Sequence, residues 1–178
     1  MDNIIYKPQH YLKADIIARI ADTMSKSDVI TIGGSAGTGK TEIALLIQEV
    51  LPEYEIVRLD RFYRRNRADR EFVRREDIGT VGIPEMNWEA INILLDSMDK
   101  VIVEGLYANF LPADFKVHLE GTTKETYEFR KERMKEDPDD EFRKKVVERE
   151  HKVVEKLREK AHLKLGWEVP ELWKRGKK

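Results

Sequence analysis

Between a β-branched run, Val29-Ile30-Thr31-Ile32, and an apolar stripe of Ile43, Leu46, Ile47 and Val50 lies the segment Gly34-Ser35-Ala36-Gly37-Thr38-Gly39-Lys40-Thr41. No other stretch constrains the fold as much. The run before it shows no polar alternation, as a strand covered on both faces should. The stripe after it has the spacing of an amphipathic helix, and Pro52 stops it. Glycines between such a strand and helix allow left-handed dihedrals and close approach, so successive backbone N–H groups turn inward around an anion. The helix adds its positive end. The segment matches G-x-x-x-x-G-K-[ST] at every position and in the required strand–loop–helix context. Gly34, Ser35, Ala36, Gly37, Thr38, Gly39, Lys40 and Thr41 are therefore expected to cradle the phosphates of ATP. Lys40 brings a mobile charge to the β- and γ-phosphates, and Thr41 brings a hydroxyl for Mg2+.

The rest of the pattern alternates. Strands are expected at Ile56–Leu59, Val101–Val103 and Phe115–Leu119, and helices at Leu12–Met24, Thr41–Leu51 and Trp88–Met98. Residues 61–86 read as irregular and Arg-rich, with turn signals at Gly79, Gly82 and Pro84. Thr122 with Glu125 opens a polar helix to about Glu136. A last helix is expected from Asp139 to Leu165, with Phe142, Val146, Val147, Val153, Val154, Leu157, Ala161 and Leu165 as a packing face against the body or another subunit. Trp167 and Trp173 are expected to anchor the tail. Strands alternating with helices predict a three-layer α/β domain with a mostly parallel sheet, whose ligands bind beyond the carboxyl ends of the strands.

Composition sets the outer bounds. The 178 residues suit one domain spanning 1–178, with no linker or internal repeat. Lys+Arg number 33 and Asp+Glu 34, so no global field favours nucleic acid or an anionic membrane. Apolar runs are far too short for a span, and the N-terminus has no secretory signal pattern. The absence of cysteine excludes disulfides and thiolate metal sites and fits a cytoplasmic location. The four histidines show no metal-ligand spacing, so no zinc site is expected.

Two carboxylates fall at predicted strand ends. Asp60 is placed to take a proton from a substrate hydroxyl, or to hold magnesium through water; Glu104 is the second carboxylate for the metal shell. Turn formation or pairing to a nearby base is the plainer role for either. Arg130 and Arg133 share one helical face, suited to closing over a transferring phosphoryl group or simply to a salt-bridged, solvated surface. Eight arginines against four acids between 58 and 76 suit an anionic acceptor, a nucleic-acid backbone or a hydrated loop. Phe62 and Tyr63 follow Asp60 and suit either an acceptor or the core below.

Taken in order, these residues resemble the uridine kinase and phosphoribulokinase group of P-loop kinases. The glycine-rich loop is similar to theirs. Asp60-Arg61-Phe62-Tyr63 resembles their Asp-x-Phe-Tyr motif, Ile83-Pro84-Glu85-Met86-Asn87-Trp88 their Pro-containing segment before a helix, and Val103-Glu104-Gly105-Leu106-Tyr107 their Val-Glu-Gly strand end. Arg130 and Arg133 fall where the family's lid carries Arg-x-x-Arg. The resemblance, over about 28–137, implies a three-layer P-loop NTPase fold with a helical lid near 122–145. It also implies transfer of the γ-phosphate of ATP to a hydroxyl of a nucleoside or similar small molecule. Asp60 would serve as base, Lys40, Arg130 and Arg133 in catalysis, Thr41 and Glu104 on Mg2+, and Asp60, Phe62, Tyr63, Glu104 and Tyr107 on the acceptor. The helix at 88–98 leads directly to Val101, where uridine kinases usually insert a β-hairpin. A sugar or other non-nucleoside metabolite is the alternative acceptor, and a nucleotide-gated regulatory protein the alternative class. No membrane or nucleic-acid partner is expected, and a homo-oligomer is compatible with the last helix's apolar face.

Overall fold

The computed structural model describes residues 21–121, 124, 126, 127, 130 and 140–165. Five strands, β1 (Val29–Gly34), β2 (Glu55–Arg58), β3 (Val101–Glu104), β4 (Phe115–Leu119) and β5 (Leu163–Leu165), form one sheet in the order β2-β3-β1-β4-β5. Each neighbouring pair is parallel. Four α-helices accompany them: α1 (Lys40–Val50), α2 (Arg67–Glu76), α3 (Trp88–Leu95) and α4 (Glu141–Arg158).

β1 and β3 lack polar alternation because helices cover both faces, whereas β4 and β5 alternate through Lys116, His118 and Lys164. On one face Ile30, Ile32, Ile102, Val117 and Leu119 meet Ile43, Ala44 and Ile47 of α1. On the other, Val101 and Val103 meet Ile91 of α3 with Val154 and Leu157 of α4. Each fully buried aliphatic of this kind contributes ~1.5–3 kcal/mol relative to an exposed one. Thr31 is the polar exception within β1, and its partner explains it: the hydroxyl donates to Asn109 Oδ1 at 2.8 Å, while Asn109 Nδ2 donates to the Val117 carbonyl at 3.0 Å. The same asparagine requires glycine at 33, where a Cβ would lie 2.7 Å from Asn109 Nδ2.

The sheet order determines where a ligand can sit. Register places Ile32 opposite Glu104 and Arg58 opposite Glu104 on the other side, so the carboxyl ends of β1, β3 and β2 lie side by side. The loops that leave them, carrying the glycine-rich segment, Glu104 and Asp60, must share one rim. No helix among the described residues is long and apolar enough to cross a membrane.

Three expectations need correction. β2 ends at Arg58, so Asp60 sits in the following 3-10 turn, Leu59–Phe62, rather than on the strand's last residue. The 61–86 segment contains α2, which apolar periodicity does not reveal because its buried side chain is an arginine. Asn66 caps it, accepting from the Asp69 N–H at 2.9 Å. The last helix stops at Arg158 rather than 165. The His162 N–H bonds the Lys116 carbonyl at 2.9 Å, and Leu163 and Leu165 enter the core as β5. Ala161 and Leu165 satisfy both the helical spacing and a two-residue strand alternation, hence the difference. α3 starts where expected, with the Asn87 side chain accepting from the Ala90 N–H at 3.2 Å. The expected helix over Leu12–Met24 is seen for its last turn; its remainder, most of the 122–136 helix, Trp167 and Trp173 lie outside the described residues.

Candidate active site

The glycine-rich loop closes on itself. Gly37 and Gly39 both have φ of 82°, the left-handed region that side chains avoid. Lys40 Nζ reaches back to the Ser35 carbonyl at 2.7 Å, and Thr38 Oγ1 donates to the same oxygen at 2.8 Å. Ser35 Oγ contacts His151 Nδ1 of α4 at 2.7 Å, so the loop is held from behind by a helix distant in sequence. Gly39 precedes the first residue of α1, and the helix's free N–H groups open toward the space in front of Lys40.

That space is a cleft of about 200 Å3 between the loop and the β2 and β3 ends, with Lys40, Thr41, Asp60, Tyr63, Glu104 and Tyr107 in its walls. Thr41 Oγ1 donates to Glu104 Oε1 at 3.1 Å. Burial pushes the Glu104 carboxyl above its ordinary range; Asp60 adds to this, while the Thr41 hydrogen bond, Lys40 and Arg58 pull it down. A hydroxyl and a carboxylate in contact, beside a second carboxylate and a lysine, form a hard-oxygen donor set suited to Mg2+ with retained waters. Asp60 itself is exposed at the rim.

The acceptor-side residues divide. Tyr63 lines the cleft, with its phenol pushed up to about 12 by burial and then by Glu150. Tyr107 also lines it. Its hydroxyl is buried without a hydrogen-bond partner among the described residues, and burial, then Glu150, raises its pKa. Phe62, like Tyr63, packs on the second core cluster, but it is not among the cleft walls. Arg130, 8% exposed, packs against the loop, its Cγ 3.4 Å from where a Cβ on Gly37 would stand. Burial, then the neighbouring Arg143, lowers its pKa. Arg133 lies outside the described residues.

Sequence reasoning missed the layer beneath the tyrosines. Arg74 of α2 donates to Glu85 through Nε at 2.6 Å and Nη2 at 2.9 Å, and to Glu150 of α4 at 3.1 Å. All three are at most 6% exposed. Glu85 also accepts from the Gly82 N–H at 3.0 Å, and burial pushes the Glu150 carboxyl up against the pull of Arg74. The triad ties α2, the 83–85 turn and α4 into one floor. A charge-rich sequence offers no signal that separates these three from the exposed charges around them.

Another cluster lies on β4. His118, Glu120 and Glu155 bring ligand atoms within 4.8 Å of one another. Arg158 Nε already holds Glu120 at 2.7 and 3.0 Å, so a guanidinium supplies the cation there. Burial holds His118 down at about 4, which keeps the imidazole neutral.

No protein-family profile matches the sequence, and no curated protein matches it. Solved structures do. One, assigned as a fructose transport system kinase from Silicibacter sp. TM1040, has a TM-score of 0.50 and 13% identity, covering 85% of this chain and 98% of its own. Its likeness joins the all-parallel sheet and the glycine loop at the rim.

The chain has the P-loop NTPase fold.

Other structures of this fold also match. A shikimate kinase from Bacteroides thetaiotaomicron has a TM-score of 0.48 and 18% identity, covering 79% of this chain and 86% of its own. A structure described as a possible uridine kinase from Bacillus stearothermophilus has a TM-score of 0.45 and 14% identity, covering 85% and 97%.

Proposed function

We propose that the protein is an ATP- and Mg2+-dependent kinase that transfers the γ-phosphoryl group to a hydroxyl of a nucleoside or similar small metabolite. One observation carries the reading: Lys40 and Thr41 of the phosphate loop share a single cleft with Asp60 and Glu104. A regulatory nucleotide-binding protein also uses one carboxylate on Mg2+; a second at the rim, Asp60, is what a transferase adds.

In this reading the loop amides and Lys40 hold the β- and γ-phosphates and stabilise charge on the transferring group. Thr41 and Glu104 would hold Mg2+, which when bound neutralises phosphate charge. The acceptor oxygen attacks the γ-phosphorus. A new P–O bond forms as the bond to the β,γ-bridging oxygen breaks, and that electron pair leaves with ADP. Asp60 receives the hydroxyl proton, and its place at the open rim gives it access to an incoming alcohol. Arg130 against the loop, with Arg133, would shield the transferring group from water. Tyr63 and Tyr107 wall the acceptor. Residues 96–100 connect α3 to β3 directly, which supports a non-nucleoside metabolite among the acceptors.

The test is incubation with ATP, Mg2+ and a panel of hydroxylated metabolites, followed by ADP release. Asp60→Asn should cut turnover by ~10²–10⁴-fold while nucleotide binding persists. Wild-type turnover in that variant would reject Asp60 as the base. A regulatory NTPase reading draws on the Ser35–His151 contact, which couples the loop to α4. It requires slow hydrolysis that no metabolite accelerates, so the same panel separates the two.

A further inference from the structure

Beyond Tyr63 lies a second hollow of about 270 Å3, walled in part by Arg65, Arg70, Asp77, Thr80 and Glu85. It adjoins the cleft through one aromatic ring. Tyr63 lines the cleft, and the Arg70 guanidinium carbon lies over the same ring, 3.7 Å from its centroid. The bridge between Tyr63 and Met86, the residue after Glu85, fixes the backbone that carries this ring.

The charges of this hollow are unequally committed. Asp77 Oδ1 accepts the Gly79 N–H at 2.8 Å. Both Glu85 oxygens are held, one by Arg74 Nε at 2.6 Å and the other by Arg74 Nη2 at 2.9 Å and the Gly82 N–H at 3.0 Å. The guanidiniums of Arg65 and Arg70 have no hydrogen bond or ion pair to any described residue, although Arg70 lies over the Tyr63 ring. A guanidinium over an aromatic face keeps its edge donors available, and that planar fork matches a carboxylate or phosphate. Two such forks beside a ligand-sized hollow outnumber Asp77, its one carboxylate that no cation pairs, and so favour an anion. The eight arginines against four acids between 58 and 76 give the approach to it the same sign.

We propose that this hollow is the far half of the acceptor site and that the acceptor is a small hydroxylated anion. Its carboxylate or phosphate is gripped by Arg65 and Arg70 while its hydroxyl lies at Asp60. The proposal rests on the kinase reading above and narrows it: a neutral nucleoside would leave both guanidiniums without a partner.

The test uses the full chain saturated with Mg2+ and a non-hydrolysable ATP analogue, so that the phosphate loop is filled. Ribose 5-phosphate and gluconate are then titrated calorimetrically beside their neutral counterparts ribose and glucose, and beside uridine. The expected result is that at least one anion binds tenfold or more tightly than its neutral counterpart and than uridine. Ribose 5-phosphate reports a phosphate and gluconate a carboxylate. Arg65→Gln with Arg70→Gln should weaken that anion about tenfold or more while the analogue's own affinity holds, and Arg70→Lys should restore part of the loss. Thermal melting of each variant shows that it is folded. Equal affinity for neutral and charged partners, no binding of either anion, or wild-type anion affinity in the double variant would each overturn the proposal and leave the kinase reading standing. Failure of the ATP analogue to bind the wild-type protein would overturn both.

Discussion

The two walls of the cleft, one proposed to hold the phosphates and the other the acceptor, are built in opposite ways. The phosphate wall is local: Ser35, Thr38 and Lys40 close a loop on one carbonyl, and Gly37 and Gly39 supply the dihedrals that permit it. The acceptor wall is assembled from afar. Arg74, Glu85 and Glu150 come from three separate elements and meet only in the folded protein. Backbone amides make a grip that tolerates no change in chain geometry, whereas a buried ion-pair floor carries side chains that can be exchanged as a set. The arrangement suits a fold that keeps one phosphate donor and varies its acceptor.

That contrast can be broken experimentally, beginning with the largest effect. Arg74→Leu strands two buried carboxylates and should cost ~3–5 kcal/mol in urea unfolding. Replacing Glu85 and Glu150 by leucine as well should recover most of that. An unchanged midpoint in the single variant would mean that the floor is not structural. Lys40→Ala should behave in reverse, with turnover down ~10²–10³-fold and melting temperature nearly unchanged. Wild-type turnover there would remove the phosphate wall from the chemistry.

His118, opposite Gly33 in the β1–β4 register, sharpens the comparison from behind the phosphate wall. Its folded pKa is held at about 4, against about 6.5 in an unfolded chain. Between those values the unfolded state binds more protons, so this stabilisation is present above pH 6.5 and is lost as pH falls toward 4. It amounts to at most ~3 kcal/mol. His118→Gln should flatten the pH dependence of unfolding across that window, and an unchanged slope would show that the imidazole does not titrate there. Asn66→Ala, removing the α2 cap, should have the smallest effect, ~1 kcal/mol by chemical denaturation. It should weaken acceptor binding more than ATP binding; equal losses would mean that the walls are not independent.

The same contrast explains what the sequence makes legible. β1, the loop and α1 are written in consecutive residues, so the apolar run, the glycines and the helical stripe could be read directly. Glu104 could be placed at a strand end because Val101-Ile102-Val103 is an unbroken apolar run. Asp60 shifted by one turn because β2 ends at Arg58, and strand boundaries carry little signal. α2 was invisible because periodicity detects apolar stripes, and its inward residue is a cation neutralised by Glu85 and Glu150. Phe62 and Tyr63 are adjacent aromatics with equal claims to the cleft; both pack on the core, and only the fold brings Tyr63 to the cleft wall as well. β5 hid inside a helical pattern because Ala161 and Leu165 also continue the spacing of α4.

The bond between Ser35 and His151 spans 116 positions. At ~5–20 residues per second, a ribosome needs roughly 6–23 s to travel from one partner to the other. The nascent chain therefore carries its glycine loop for that interval without the imidazole that braces it, and full affinity for nucleotide should arise only once α4 has been made.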